Sequence, residues 1–494
     1  MPNSTALDID VQNLGPTIRP ELHGHFIEHL GGCIDGGLWV GTDSPIPNTD
    51  GVRNDVVEAL SKISAPVLRW PGGCFADDYH WRDGIGPRES RPRRVNMHWG
   101  GEIERNEFGT HEFIATCRAV GAKPYLAGNV GSGTPRELRD WVEYCNFPGG
   151  STLSDERVAN GSNEPFAVEY WGVGNENWGC GGTFSPEDYA TEYRRFSTYL
   201  RPWGGTQPFL IACGPNRNDS EWTRRFFEKL KRHFWDIAPI HGFAAHHYSH
   251  SDSTATEFEE KDWIKLLLDA IETEKLIVDQ RALLDEYDPD RKIGLILDEW
   301  GAWHKPTPGT NPAFLWQQST VRDALVAAVS FDIFHRQAER VHMTNIAQTI
   351  NVLQSLILTD EEKMVLTPTY HVFDLYRPHQ NGQRASLRLE SAEIEGGLPH
   401  IAGSASVKHG VLTLTVTNLS PREDAEIEVR LPGVNTGEIA VRGLAYDGDL
   451  RAHNEFGQMP RVGLEDKPMP KLSPSGFGYV LPSASVTRFS IALG

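Results

Sequence analysis

Residues 169–182 read EYWGVGNENWGCGG. A strand-like run from Glu169 to Val173 stops at Gly174, and Asn175, Glu176, Asn177 and Trp178 follow. A solvated surface turn has no need of a carboxylate set between two amides and an indole. The pattern reads as the end of a buried strand carrying polar cargo. Whether that ending is an isolated event or a repeated one decides the fold.

It is repeated. Moving outward, short apolar runs recur as ELHGHFI (21–27), PVLRW (66–70), KPYLAG (123–128), EYWGVG (169–174), PFLIACG (208–214), GFAAHHY (242–248), IGLILDE (293–299) and VHMTNIA (341–347). Segments with apolar residues three and four apart separate most of them, such as TRRFFEKLKRHFW and KDWIKLLLDAIETEKLIVDQRALLDEY, which is helical spacing. In FSPEDYATEYRRFSTYL, Ser185 reads as an N-cap, with Pro186 in the first turn and Asp188 three residues after the cap. Eight strand–helix units predict a (β/α)8 TIM barrel over residues 19–382. A doubly wound sheet is the rival, but the glycines of HLGGCIDGG are wrongly spaced for a dinucleotide turn. From residue 383 to 494 the texture becomes short alternating runs between turn residues, as in ASVKHGVLTLTVTNLS, which predicts an antiparallel β-sandwich. Residues 1–18, with ALDIDVQNLG, read as one more strand of that sandwich.

Composition narrows the function. A formal charge of −20 argues against a nucleic-acid partner. No run approaches the length of a membrane span, and MPNSTALDID lacks the pattern of a signal peptide. Fourteen tryptophans favour a ligand with flat apolar faces, such as a sugar, though indoles also fill cores. The cysteines at 33, 74, 117, 145, 180 and 213 form no CxxC pair. A reducing compartment is therefore expected, with no disulfide framework and no zinc site.

In a TIM barrel, functional groups stand at the C-terminal strand ends. Those ends carry Glu28 and His29, Arg69 and Trp70, Asn129, Asn175 and Glu176, His246 to Tyr248, Asp298 to Trp300, and Asn345 with Gln348 and Gln354 beyond. Glu176 and Glu299 follow the fourth and seventh strands, on nearly opposite sides of the ring. Paired carboxylates across a mouth are what glycosidic cleavage requires: one protonates the departing oxygen, the other attacks the sugar carbon or activates water. Arg69 lies within a strand and must find an acidic partner. His246 and His247 alternate, so at most one faces inward, and no metal site is expected. Asp77 and Asp78 read as turn caps, and Cys74 as an inert buried thiol.

Four stretches in order, HGHFIEHLGGCIDGGLWVG, LRWPGGCFADDYHWRDGIGP, GNEN and LDEWGAW, resemble the motifs of the α-L-arabinofuranosidases of glycoside hydrolase family 51, and the resemblance covers nearly the whole chain. It implies a retaining enzyme that removes terminal arabinofuranose from arabinan, arabinoxylan and arabino-oligosaccharides. Carried onto this chain, Glu176 corresponds to the acid/base and Glu299 to the nucleophile. Glu28, Asn175 and Gln354 correspond to residues holding the furanose hydroxyls, with Gln348 the competing choice for the last. Arg69, Tyr248 and His246 surround the nucleophile, Cys74 lines the pocket, and Trp99 and Trp303 wall the cleavage point. The resemblance further implies no metal or organic cofactor, a cytoplasmic location and a homo-oligomer, expected to be a hexamer. An endo-acting glycanase or β-xylosidase on the same scaffold, and an inactive carbohydrate-binding barrel, are the alternatives.

Overall fold

The computed structural model describes residues 4–231, 239–434, 436–473 and 476–494. Eight parallel strands close into a barrel in chain order: β1 (Gly24–Phe26), β2 (Val67–Trp70), β3 (Lys123–Gly128), β4 (Tyr170–Val173), β5 (Phe209–Ala212), β6 (Gly242–His250), β7 (Gly294–Trp303) and β8 (Val341–Ala347). All eight fall on the expected runs. Helices such as Pro186–Ser197 and Glu260–Tyr287 fill the connections. Ser185 caps the first of these, its hydroxyl oxygen accepting from the Asp188 amide at 3.2 Å. The helix expected at TRRFFEKLKRHFW is described as Ser220–Lys231; residues 232–235 of that stretch lie outside the described residues. Among the described residues no helix is long and apolar enough to cross a membrane.

The barrel floor is an apolar plug. Val67, Tyr125, Tyr170, Ile211, Ala244, Ile296 and Met343 form one buried cluster, one side chain from each strand β2 to β8. On β1 the corresponding space is kept by Gly24, where a Cβ would lie 2.4 Å from Asn345 Oδ1 and 2.6 Å from Val67 Cγ1. Strand side chains alternate, so inward positions recur every second residue. Two residues above Val67, Ile296 and Met343 stand Arg69, Asp298 and Asn345. The plug thus supports a polar layer directly above it, and the layer supports the mouth.

One irregularity alters that alternation. Along β6 and β7, Ala245 pairs with Leu297 but His246 pairs with Glu299, so Asp298 is an extra residue in β7. This bulge lets two successive carboxylates face the barrel interior.

The C-terminal region is built from a five-stranded and a six-stranded sheet. The N-terminal strand Thr5–Asp10 lies inside the first, parallel to Ala425–Arg430 and antiparallel to Ser386–Leu389. Its alternate residues Leu7 and Ile9 join Leu414, Val416, Ile427, Phe477 and Phe489 in a second buried core.

Where the sheets meet the barrel, three buried histidines make a chain. His23 and His335 touch through their Nε2 atoms at 3.2 Å. His335 Nδ1 bonds Ser404 Oγ, and His379 Nδ1 bonds Ser406 Oγ, each at 2.8 Å. Burial holds all three below the ordinary imidazole range, His379 at about 3. Such rings stay neutral in the folded chain at pH values where the unfolded chain binds protons. Stability is therefore intact above about pH 6.5 and falls as the pH drops below it. Each refused proton contributes about 1.4 kcal/mol per pH unit. Urea midpoints measured from pH 7 to pH 4.5 should decline, and His379→Gln should make the decline shallower. An unchanged slope would show that this seam does not set acid stability.

Candidate active site

Arg69 is fully buried, under the mouth of the barrel. Its Nη1 donates to Glu299 Oε1 at 2.9 Å and to the Asp298 carbonyl at 3.1 Å. Its Nη2 donates to Asn175 Oδ1 at 2.5 Å. Asp298 is held in turn by the Tyr125 hydroxyl at 2.7 Å and the Asn345 amide at 2.9 Å. The guanidinium lies over the Phe26 ring at 4.4 Å from its centroid. One cation thereby ties the ends of β2, β4 and β7 together, and the acidic partner required by the sequence is a pair.

Glu299 accepts a second bond from the Tyr248 hydroxyl at 2.7 Å. His246 Nδ1 stands 2.8 Å from Glu176 Oε1 and 3.6 Å from Glu299 Oε2. Carboxylate oxygens of Glu176 and Glu299 and a ring nitrogen of His246 all lie within 4.8 Å of one another. Burial alone would push the Glu299 carboxyl up; the His246 and Arg69 charges and the Tyr248 hydroxyl outweigh it and hold the group below the ordinary carboxylate range. Burial depresses His246, but the charges of Glu299 and Glu176 reverse this and raise it. His247 faces away, its Nε2 bonded to the Asp269 carbonyl at 2.8 Å.

Glu176 has φ of +42°, a backbone region that L side chains rarely adopt. Its neighbours impose it. The Asn175 amide donates to Asp77 Oδ2 at 2.9 Å, and the Asn177 side chain donates to the Gly181 carbonyl at 2.7 Å. Asp77 also accepts from Val130 and Gly131 amides at 2.8 Å each. It is thus the turn cap expected, but one that latches the loops after β2, β3 and β4 together.

Glu28 forms the other wall. Its Oε1 accepts from the Gly73 and Phe75 amides and from Trp99 Nε1 at 3.0–3.2 Å, and its Oε2 from the Gln348 amide at 2.8 Å. Burial, with the Glu299 charge added, pushes Glu28 up to about 7. The glycines of LRWPGG make this approach possible. A Cβ at Gly72 would meet Glu28 Cγ at 2.6 Å, and one at Gly73 would meet Glu299 Oε1 at 2.7 Å. Trp303 packs edge-on to Tyr248 with ring centroids 5.1 Å apart. From Glu176 a cavity of about 690 Å³ continues past Trp178, Asn216, His250 and Trp303.

Two expectations need correction. Gln354 is fully buried and fully used: its Oε1 accepts from the Ala302 amide at 2.7 Å, and its Nε2 donates to the Asp323 carbonyl at 2.6 Å and to Thr369 at 3.2 Å. It braces β7, and Gln348 occupies the pocket beside Glu28. Both follow β8, and sequence distance alone does not separate them. Second, Cys74 is not a free buried thiol, and a disulfide is present where none was expected. It is bonded to Cys180, 106 residues away, with Cα atoms 5.5 Å apart. Cys33, Cys117, Cys145 and Cys213 are free and buried. The signal for the bridge was available, since Cys74 and Cys180 both sit in loops at C-terminal strand ends.

The chain is similar to known proteins along nearly its whole length. The description "Alpha-L-arabinofuranosidase 1 domain" matches residues 59–264, and "Alpha-L-arabinofuranosidase C-terminal domain" matches residues 298–485. An "Intracellular exo-alpha-L-arabinofuranosidase" of Bacteroides ovatus is 43% identical, over 96% of this chain and 93% of its own. The crystal structure of the GH51 arabinofuranosidase from Xanthomonas axonopodis pv. citri superposes with a TM-score of 0.95 at 41% identity, covering 99% of both chains. An α-L-arabinofuranosidase from Thermotoga maritima, solved with arabinose, gives 0.88 at 27% identity, over 99% of this chain and 100% of that one.

Replacing Arg69 with Gln should leave Glu299 and Asp298 without their cation. Losing one partner of a buried pair costs about 3–5 kcal/mol, so the thermal midpoint should fall. Because Arg69 holds Glu299 down, the acid limb of kcat/KM should move to higher pH. A limb that stays in place would mean that Arg69 does not govern the ionisation of Glu299. Joined by one buried cation, spanned by one histidine and matched along nearly its whole length by arabinofuranosidases, this chain belongs to the α-L-arabinofuranosidases of glycoside hydrolase family 51.

Proposed function

We propose that the chain is a retaining, exo-acting α-L-arabinofuranosidase that releases terminal non-reducing arabinofuranosyl residues from arabinan, arabinoxylan and arabino-oligosaccharides. The observation that carries this reading is the approach of the Glu176 and Glu299 carboxylate oxygens to within 4.8 Å. That suits attack by one carboxylate, for which a separation of about 5–5.5 Å is usual, and falls short of the roughly 6.5–9.5 Å of inverting pairs. The word "exo" in the name of the Bacteroides relative supports release from chain ends.

The two roles follow from the surroundings. Glu299 is held ionised and aimed by Arg69 and Tyr248, as a nucleophile must be. It attacks the anomeric carbon and forms a glycosyl-enzyme. Glu176 delivers a proton to the departing oxygen, then takes one from the water that hydrolyses the intermediate. Glu28, Asn175 and Gln348 hold the furanose hydroxyls. In support, Asn175 Nδ2 and Gln348 Oε1 are buried without a hydrogen-bond partner among the described residues, a costly arrangement that a bound sugar relieves. Trp99 and Trp303 wall the point of cleavage. We assign no cofactor, because two carboxylates complete the chemistry. The word "intracellular" in the relative's name supports a cytoplasmic site of action. The homo-hexamer rests on the family resemblance, and light scattering on the eluted protein measures it directly.

On an aryl α-L-arabinofuranoside, Glu299→Ala should lose roughly four to six orders of magnitude in turnover. Glu176→Ala should lose about 10²–10⁴-fold on substrates with poor leaving groups and spare the first step on activated ones. With azide, Glu176→Ala should yield the glycosyl azide of retained configuration. Uniform loss on all leaving groups, or an inverted azide, would overturn the assignment. Longer oligosaccharides as first products from linear arabinan would favour the endo-acting reading.

The two glutamines separate by effect. Gln348→Ala should lower kcat/KM by about 10- to 100-fold through lost sugar contacts. Gln354→Ala should instead lower the thermal midpoint, by about 1–3 kcal/mol of stability. The reverse pattern would return the sugar contact to Gln354.

A further inference from the structure

The Cys74–Cys180 bridge joins the loop after β2 to the loop after β4, on either side of the acid/base glutamate. Both residues are half-buried at the pocket, within reach of solvent. Glu176 Oε2 lies 3.6 Å from Cys180 Sγ and 3.9 Å from Cys74 Sγ. Neither sulfur of a disulfide carries a hydrogen, so these are contacts without a donor. The other oxygen, Oε1, is engaged by His246 Nδ1 at 2.8 Å. The two oxygens of Glu176 are thus sorted: one is occupied, and the other faces a surface unable to donate to it. Oε2 is the oxygen left free to carry the transferable proton.

We propose that the Cys74–Cys180 disulfide is a positioning element for the acid/base glutamate, so that the thiol redox state of this bridge controls how well the enzyme cleaves substrates with poor leaving groups. This rests on the assignment of Glu176 as acid/base. A dithiol reductant opens the bridge: the S–S bond breaks, S–H bonds form on Cys74 and Cys180, and the dithiol leaves as its own disulfide. Two consequences follow for Glu176. The Gly179–Gly182 turn loses its covalent anchor to the β2 loop, and with it one of the constraints on the left-handed backbone of Glu176. A thiol at Cys180 also becomes a donor toward Oε2, competing for the oxygen that serves the leaving group. The nucleophile is not attached to either loop: Glu299 is fixed by Arg69 and Tyr248 from the strands. Opening the bridge therefore impairs protonation of the leaving group more than attack.

The measurement is kcat/KM on two arabinofuranosides, one with 4-nitrophenol and one with an alkyl alcohol as leaving group. It is made on untreated enzyme, on enzyme reduced with dithiothreitol and then reoxidised, and on the Cys74→Ala/Cys180→Ala double variant, which lacks the bridge under all conditions. Thiol titration of the native protein follows the opening, because the other four cysteines are buried. The inference expects kcat/KM on the alkyl substrate to fall about tenfold, a part of what general acid catalysis contributes. The activated substrate should change less than about twofold, and reoxidation should restore the loss in wild type. If the ratio between the two substrates is the same with and without the bridge, the inference is overturned, whatever happens to overall activity or thermal midpoint. Glu176→Ala with its bridge intact keeps this separate from the assignment beneath it. A flat ratio in Glu176→Ala overturns the glutamate roles, whereas a flat ratio confined to the bridge-free forms overturns only the role of the disulfide.

Discussion

One buried guanidinium organises the catalytic end of this protein. Arg69 sits above an apolar floor and below the mouth, where a lone cation would be severely destabilising. It is tolerated because two strand ends bring it partners: Glu299 and Asp298 from β7 and Asn175 from just beyond β4. The dependence runs both ways. Together with His246, Arg69 holds Glu299 below the ordinary carboxylate range against its burial, and its bond to Asn175 ties the Asn175–Glu176 turn to the strand ends. A buried ion pair is weak evidence for stability, since desolvation offsets most of its attraction. Its value here lies in orientation, because each partner of Arg69 is thereby fixed toward the same small volume.

Much of this was legible in the residues, for a definite physical reason. Parallel barrel strands are buried on both faces and stand out as apolar runs, and polar groups at their ends have few structural excuses. The eight runs and the residues closing them, Glu28, Arg69, Asn175, Glu176, His246 and Glu299, follow from that rule. What periodicity did not reveal was the bulge at Asp298. Strict alternation gives Asp298 or Glu299 an inward position, but not both. Only the pairing of His246 with Glu299 shows that β7 delivers two adjacent acids to one guanidinium. Gln348 and Gln354 posed the same kind of difficulty. They lie beyond the strand, where the chain turns irregularly and spacing carries no directional information.

The disulfide escaped for another reason. Cysteine spacing along a chain is informative when the bridge closes a short local loop or a metal knuckle. A bridge between two barrel loops 106 residues apart follows from the closed topology alone. Once β2 and β4 are placed with β3 between them, the loops after them share the same rim. The fold holds the two sulfurs within bonding distance, and the redox poise of the surroundings against the potential of the bridge sets how far it is closed.

The pocket solves a problem that any cluster of carboxylates poses. Glu28, Glu176 and Glu299 converge on a volume the size of one sugar, and three full negative charges there would repel one another strongly at low effective dielectric. The structure divides them by environment. Glu299 is given the cations, His246 from the neighbouring strand β6 and Arg69 in direct contact, and is held below the ordinary range. Glu28 is given only neutral donors, the Trp99 indole, two backbone amides and the Gln348 amide. Buried without a counter-charge and facing Glu299, it is pushed up to about 7. Environments that drive neighbouring acids apart in this way assign their work. The group kept charged can attack. The group drawn toward neutrality can either donate or accept toward a hydroxyl, while adding little charge to repel Glu299. Exchanging the two environments would leave every glutamate in place and reverse which of the two is held charged.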